Sequence, residues 1–149
     1  MTFTLEDFHL KFQVPRLTLF RSSTWTISVR PEQLTLGSLI ISPTVEAYTF
    51  NQLNDSSSND SLLGIFSYCE LTLKSVFSAE LLNIYCLMLQ DPIIHFHVFP
   101  RYSSAILRYD QEWIDTLWPG PLKVASINPP SQNTLLSIHE DLSSFFRTL

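Results

Sequence analysis

The chain predicts an α+β domain built on an antiparallel sheet, and three observations carry that reading. Two pairs of β-rich runs, 25–42 and 83–99, are each broken by a short turn and read as hairpins. Two other stretches, 62–76 and 134–148, carry apolar residues at three- and four-residue spacing, as helices with one buried stripe do. The length, 149 residues, is that of one domain with a sizeable core, so 1–149 is read as a single unit.

In chain order, Phe3, Leu5, Phe8, Leu10 and Phe12 alternate loosely before Pro15 interrupts, which fits either extended segments or a short helix at 5–11. His9 reads there as a partly buried or surface histidine. Trp25 to Val29 alternates and is rich in β-formers; Pro31 through Leu36 turns, and Gly37 to Ser42 returns as the second strand. The polar cluster Asn54 to Ser61 offers a loop and several helix N-caps. A helix at roughly 60–77 follows, with Leu62, Phe66, Cys69, Leu73 and Val76 as its apolar stripe and Glu70 with Lys74 as an i, i+4 pair. The run 83–89 is apolar on both faces and predicts a central strand, and Gln90-Asp91-Pro92 predicts a compact turn into an interior strand at 93–99. Beyond Tyr102, residues 103–110 are candidates for polar specificity. Trp118-Pro119-Gly120-Pro121 marks a rigid aromatic loop whose tryptophan either packs or stacks on a base. Leu135, Ile138, Leu142, Phe145 and Phe146 predict a C-terminal helix serving as lid or brace, on which His139, beside Glu140 and Asp141, reads as solvated.

Composition narrows the function classes. A net charge of −5 argues against a general nucleic-acid polymer binder, which needs a basic stripe. No apolar run approaches the length of a membrane span, and Met1 to Asp7 carries acids where a signal peptide needs bases. Cys69 and Cys86 form no Cys-x-x-Cys and read as reduced core thiols. A cytoplasmic protein without a membrane partner is the expectation. With 45% hydrophobic residues, part of the apolar excess suits an oligomer interface. There is no Gly-x-x-x-x-Gly-Lys loop.

The chemistry lies in Ile93-Ile94-His95-Phe96-His97-Val98-Phe99-Pro100-Arg101-Tyr102. Strand alternation puts Ile93, His95, His97 and Phe99 on one face and Ile94, Phe96 and Val98 on the other, so two imidazoles stand side by side. A neutral imidazole can attack an electrophile while a protonated neighbour donates to the leaving oxygen.

This run resembles the signature of the histidine-triad nucleotide hydrolases and transferases, His-φ-His-φ-His-φ-φ with φ apolar, often continuing into Pro-Arg. Anchored on Pro100-Arg101, His97 is the third histidine and His95 the middle one, with Ile93 in the first position. The resemblance is strongest over 20–102. It takes in the hairpin 25–43 and the strand 82–91, and is similar to a bacterial branch with a short turn before the motif; 103–149 is a helical extension. It implies an antiparallel sheet of about five strands with a long helix across one face. It also implies a homodimer and a small-molecule nucleotide substrate, with no cofactor and no metal. By the same resemblance His95 attacks the α-phosphorus of a nucleoside polyphosphate, such as a dinucleoside polyphosphate, and forms a nucleotidyl-histidine, while His97 contacts the phosphate oxygens. Arg30, Gln90 and Arg101 are the implied nucleotide-binding residues.

Two other readings stay open. Isoleucine at position 93 cannot hydrogen-bond its neighbours as a histidine does, which suits a non-catalytic or weakly active nucleotide-binding protein. His-x-His on a strand also suits a metal, given a third ligand.

Overall fold

The computed structural model describes residues 2–53 and 61–148. Its main sheet has five antiparallel strands in the order β1-β2-β3-β5-β4: β1 Thr18–Arg21, β2 Trp25–Val29, β3 Leu39–Pro43, β4 Leu81–Tyr85 and β5 Phe96–Arg101. A second hairpin, β6 Ile106–Arg108 with β7 Gln111–Trp113, lies in the stretch that the sequence left without elements. The α+β class and the sheet of five strands are as predicted, with β5 interior between β3 and β4.

One face of the sheet carries the main core. Trp25, Ile27, Val29, Leu39, Ile41, Phe96 and Val98 point from it towards α3 (Leu62–Phe77) and α4 (Gln132–Phe146). Ser61 caps α3 by accepting from the Gly64 N–H, satisfying one of the orphan donors of the first turn. The rest of the predicted cap cluster, 54–60, lies outside the described residues. Burial centres on Ile65, Cys69, Leu73 and Phe77, with the predicted Leu62, Phe66 and Val76 partly buried beside them. Helix α4 adds Leu135, Ile138, Leu142 and Phe146 to this core and packs on α3 and β1, a brace and not a lid. At the tip of the β2–β3 connection Gly37 has φ +87°, and a Cβ there would lie 2.8 Å from Leu73 and 2.9 Å from Phe77. Only glycine both adopts that backbone and fits beneath the helix.

The opposite face is covered by α1 (Leu5–Phe12) and the short α2 (Val14–Leu17). Between the two readings of the N-terminus, the helix forms. Thr4 and Asp7 close a capping box, Phe8 and Phe12 share one side at i, i+4, and Gln13 in the left-handed region ends the turn before Pro15.

Three expectations are corrected. The strand expected at 83–89 ends at Tyr85 and lies at the sheet edge, with Leu81 41% and Ile84 36% exposed. The chain leaves the ladder at Cys86, Met88 takes φ +46°, and the apolar run 87–89 walls a cleft instead of filling a sheet. The compact turn at 90–92 is therefore part of a longer connection, 86–95. The motif strand begins at Phe96 and not at Ile93, because the Ile94 N–H leaves the ladder to donate to the Ala47 carbonyl at 2.9 Å. Side-chain parity nevertheless holds across 93–99, with Ile94, Phe96 and Val98 in the main core and Ile93 on the other side. His139, expected to be solvated, is half-buried and bonds the Thr18 carbonyl through Nε2 at 2.8 Å, tying α4 to β1.

Candidate active site

His95 and His97 lie on the α1 face, 2% and 5% exposed, with ring centroids 4.8 Å apart. Phe8 packs 5.0 Å from the His95 ring, Phe12 touches both imidazoles, and Phe99 stacks on His97 at 5.9 Å. The rings look into a cleft of about 220 Å³. Its walls come from four distant parts of the chain: Lys11 and Phe12 of α1, Arg30 and Glu32 after β2, 87–91 of the β4–β5 connection, and 124–126 of the segment leading to α4.

The hydrogen bonds around the two rings fix their tautomers. A carbonyl only accepts, so His95 Nδ1, 2.6 Å from the Ile93 oxygen, must carry that ring's proton. Arg30 Nε only donates, so His97 Nδ1, 3.3 Å away, must be bare, and the His97 proton sits on Nε2. The two Nε2 atoms are 3.2 Å apart, and the remaining contact can run only one way, from His97 Nε2–H to the His95 Nε2 lone pair. Burial pulls His97 down to about 3, helped by His95, Arg30 and Lys11. His95 is also lowered, chiefly by burial, with the Ile93 carbonyl and Asp91 opposing. His97 is therefore a neutral hydrogen-bond donor rather than the protonated neighbour that the sequence suggested.

Charge at the mouth is arranged in pairs. Lys11 Nζ bridges both Asp91 oxygens at 2.7 and 2.9 Å. Arg30 Nη1 donates to the Glu32 carbonyl at 2.7 Å, and the Glu32 carboxylate accepts from the Ile127 N–H at 2.8 Å, which pins the 124–127 segment over the site. Arg30 Nη2 has no hydrogen-bond partner among the described residues. Those residues also include no cluster of three or more His, Cys, Asp and Glu able to hold a metal.

Of the residues picked from sequence, the structure brings together His95, His97, Arg30 and Gln90, the last on the cleft wall. Arg101 is placed elsewhere. Its guanidinium is buried, bidentate to Asp115 at 2.6 and 3.0 Å, and bonded to Asn83 Oδ1 and the Gly120 carbonyl, each at 2.7 Å. Trp118 lies against that guanidinium, 5.9 Å from ring to cation, so its place is packing beside Arg101 and not the cleft. Lys11 and Glu32 had no signal in the sequence beyond lying within two residues of Phe12 and Arg30.

Ile93 is fully buried in a small cluster with Phe8, Phe12, Val14 and Ile40. Its side chain anchors α1 against the sheet, and its carbonyl orients His95. The position that the resemblance assigns to a first histidine thus does two structural jobs without an imidazole.

No family model matches the chain, and no curated protein matches it in sequence. The similarity appears in solved structures. A histidine triad protein from Marinobacter aquaeolei VT8 superposes with TM-score 0.69 at 19% identity, over 92% of this chain and 94% of the other. One from Sinorhizobium meliloti 1021 gives 0.65 at 18%, over 96% of each. The chain has the histidine triad fold. A Plasmodium falciparum diadenosine triphosphate hydrolase in complex with cyclomarin A shares it with TM-score 0.63 at 10% identity, over 89% of this chain and 78% of that one. Within this fold His95 and His97 face the cleft, and Ile93 lies beside them in the small apolar cluster. No described helix is long and apolar enough to cross a membrane.

Proposed function

We propose that this protein is a nucleotide phosphohydrolase or nucleotidyl transferase acting on the α-phosphate of a nucleoside polyphosphate, with His95 as the nucleophile. The observation that carries this is the 2.6 Å bond from His95 Nδ1–H to the Ile93 carbonyl, which leaves the Nε2 lone pair on the cleft side. The lone pair of Nε2 attacks phosphorus, the N–P bond forms, and the bond to the leaving oxygen breaks with its electron pair. The Ile93 carbonyl stabilises the positive charge that the ring then carries. Water or another acceptor next attacks phosphorus and returns the pair to Nε2. His97 Nε2–H shifts from His95 to a phosphate oxygen, and Arg30 Nη2 grips a second one. Gln90 is a further candidate for phosphate contact from the wall; Arg101 is not carried forward as a ligand.

A second reading has its own support. The His95 lone pair is occupied by His97, and both rings are nearly buried, which suits a nucleotide-binding protein with little turnover. Incubation with mono- and dinucleoside polyphosphates, followed by chromatography of the products, separates the two. Acid-labile label from an α-phosphate-labelled nucleotide on wild type, absent from His95→Ala, is the expected result. No label on either, with ordinary nucleotide affinity, favours the binder.

For assembly, we propose a homodimer through the exposed edge strand β4 and α3, where Leu81, Ile84, Leu63 and Leu71 present apolar side chains. Light scattering at micromolar concentration tests it, and a monomeric mass counts against it. The cytoplasm is the proposed site of action, in keeping with two free thiols, one of which, Cys69, burial raises to about 12.

A further inference from the structure

We propose that the chain Arg30–His97–His95–Ile93 leaves the cleft without an acidic imidazole and so restricts it to leaving groups that depart as stable anions: phosphoanhydrides, and not phosphoramidates or alkyl phosphate esters. This rests on His95 being the nucleophile, as proposed above, and narrows the substrate class of that same site.

The argument is a count of protons. His97 has one, on Nε2, because Arg30 Nε–H occupies the Nδ1 side at 3.3 Å, and a second proton on Nδ1 would face that donor. His95 has one, on Nδ1, held by the Ile93 carbonyl. The groups facing His97 come from every wall: Lys11 and Phe12 from α1, Arg30 and Glu32 after β2, Asp91 and His95 before β5, Tyr85 beside it on β4 and Phe99 on its own strand. Lys11 and Arg30 oppose another positive charge there. The two carboxylates are already engaged, Asp91 by Lys11 and Glu32 by the Ile127 N–H. Lys11 in turn directs its ammonium at both Asp91 oxygens.

When His95 Nε2 forms its bond to phosphorus, the departing atom keeps the electron pair of the broken bond. A neutral His97 that gave up its Nε2 proton would be left as an imidazolate, so it supplies a hydrogen bond and no proton. A phosphate oxygen leaving from an anhydride carries that charge unaided. An amine nitrogen or an alkoxide does not, and needs a proton that neither imidazole among the described residues of the cleft is placed to deliver. In the second half, water attacks phosphorus, the N–P bond breaks back to Nε2, and the water proton passes to solvent.

Three substrates sharing one adenylyl group test this: a diadenosine polyphosphate, an adenosine phosphoramidate and an alkyl ester of adenylate. Wild type should turn over the last two slower than the first by roughly 10²–10⁴, the contribution of a positioned general acid. In Arg30→Met, which frees Nδ1, the ratio of anhydride to amidate turnover should narrow by about tenfold or more near pH 6, whatever happens to binding of both. Nitrogen-15 spectra of the histidine rings add a readout that needs no turnover. His97 should remain the Nε2–H form from about pH 5 to 8 in wild type and titrate in the variant, since removing a like charge raises a nearby base. Should Arg30→Met not fold, Arg30→Lys keeps a charged donor and should keep the wild-type selectivity. Equal turnover of anhydride and amidate, or a wild-type His97 that titrates near neutrality or carries its proton on Nδ1, overturns the inference alone. Turnover of none of the three overturns the nucleophile reading with it.

Discussion

The two faces of the sheet are built on opposite terms. Towards α3 and α4 lies a continuous apolar core of 21 buried residues among those described, which include Cys69 and Tyr102 as their titratable members. Towards α1 and α2 the described residues give only a small apolar cluster, Phe8, Phe12, Val14, Ile40 and Ile93, with Phe99 beside it, and the space that they leave is taken by two imidazoles and a guanidinium. The first face stabilises the domain; the second spends that stability on holding polar groups out of water, where their hydrogen bonds and charges act more strongly. The two imidazoles thus sit where the core is thinnest, under an eight-residue helix.

Substitutions on each face sharpen this contrast. His95→Ala, on the thin face, should give the largest effect, a loss of turnover of at least about 10⁴, with a chain that still folds by circular dichroism. Leu73→Ala, fully buried in the main core, should reverse the pattern. Urea unfolding should show a loss of about 2–5 kcal/mol, with activity per folded molecule unchanged. Ile93→His lies between. If position 93 is an anchor, the flat imidazole fits the Phe8–Phe12–Ile40 cluster poorly and buries an unmatched polar group, lowering stability by about 1–3 kcal/mol and turnover with it. A rise in turnover would mean that an imidazole at position 93 assists the site.

The smallest effect is in pH. His97 is 6.5 when unfolded and about 3 when folded, so the unfolded chain takes up a proton first as pH falls. Above 6.5 its burial carries no protonation penalty, and stability is lost progressively from there down towards 3. Unfolding curves of His97→Gln should be flatter than those of wild type over that window. Parallel curves would place the proton elsewhere.

Much of this was legible in the chain. Strict alternation across 93–99 put His95 and His97 on one face before any ladder was known, since parity survives even where hydrogen bonding stops. The stripes of α3 and α4 and the 25–43 hairpin were legible for the same reason: one face is buried and period shows it. What could not be read were contacts between distant segments. Arg30 meets His97 across 67 positions, and nothing local at either end announces it. Arg101 looked like a ligand because it follows the motif, yet its place is decided by Asp115 and by Asn83 on the neighbouring strand. The apolar run 84–89 misled because a strand centre and the wall of a cleft ask for the same residues.

The cleft draws its walls from both ends of the chain, Lys11 and Phe12 near the start and Val124 to Ser126 near the finish. A nucleotide seated there touches both segments at once, and so acts as a suture. By mass action, a ligand at a hundred times its dissociation constant adds about 2.7 kcal/mol to the folded state. A library of nucleotides screened by melting temperature would therefore rank ligands for this protein without any assumption about what it does to them.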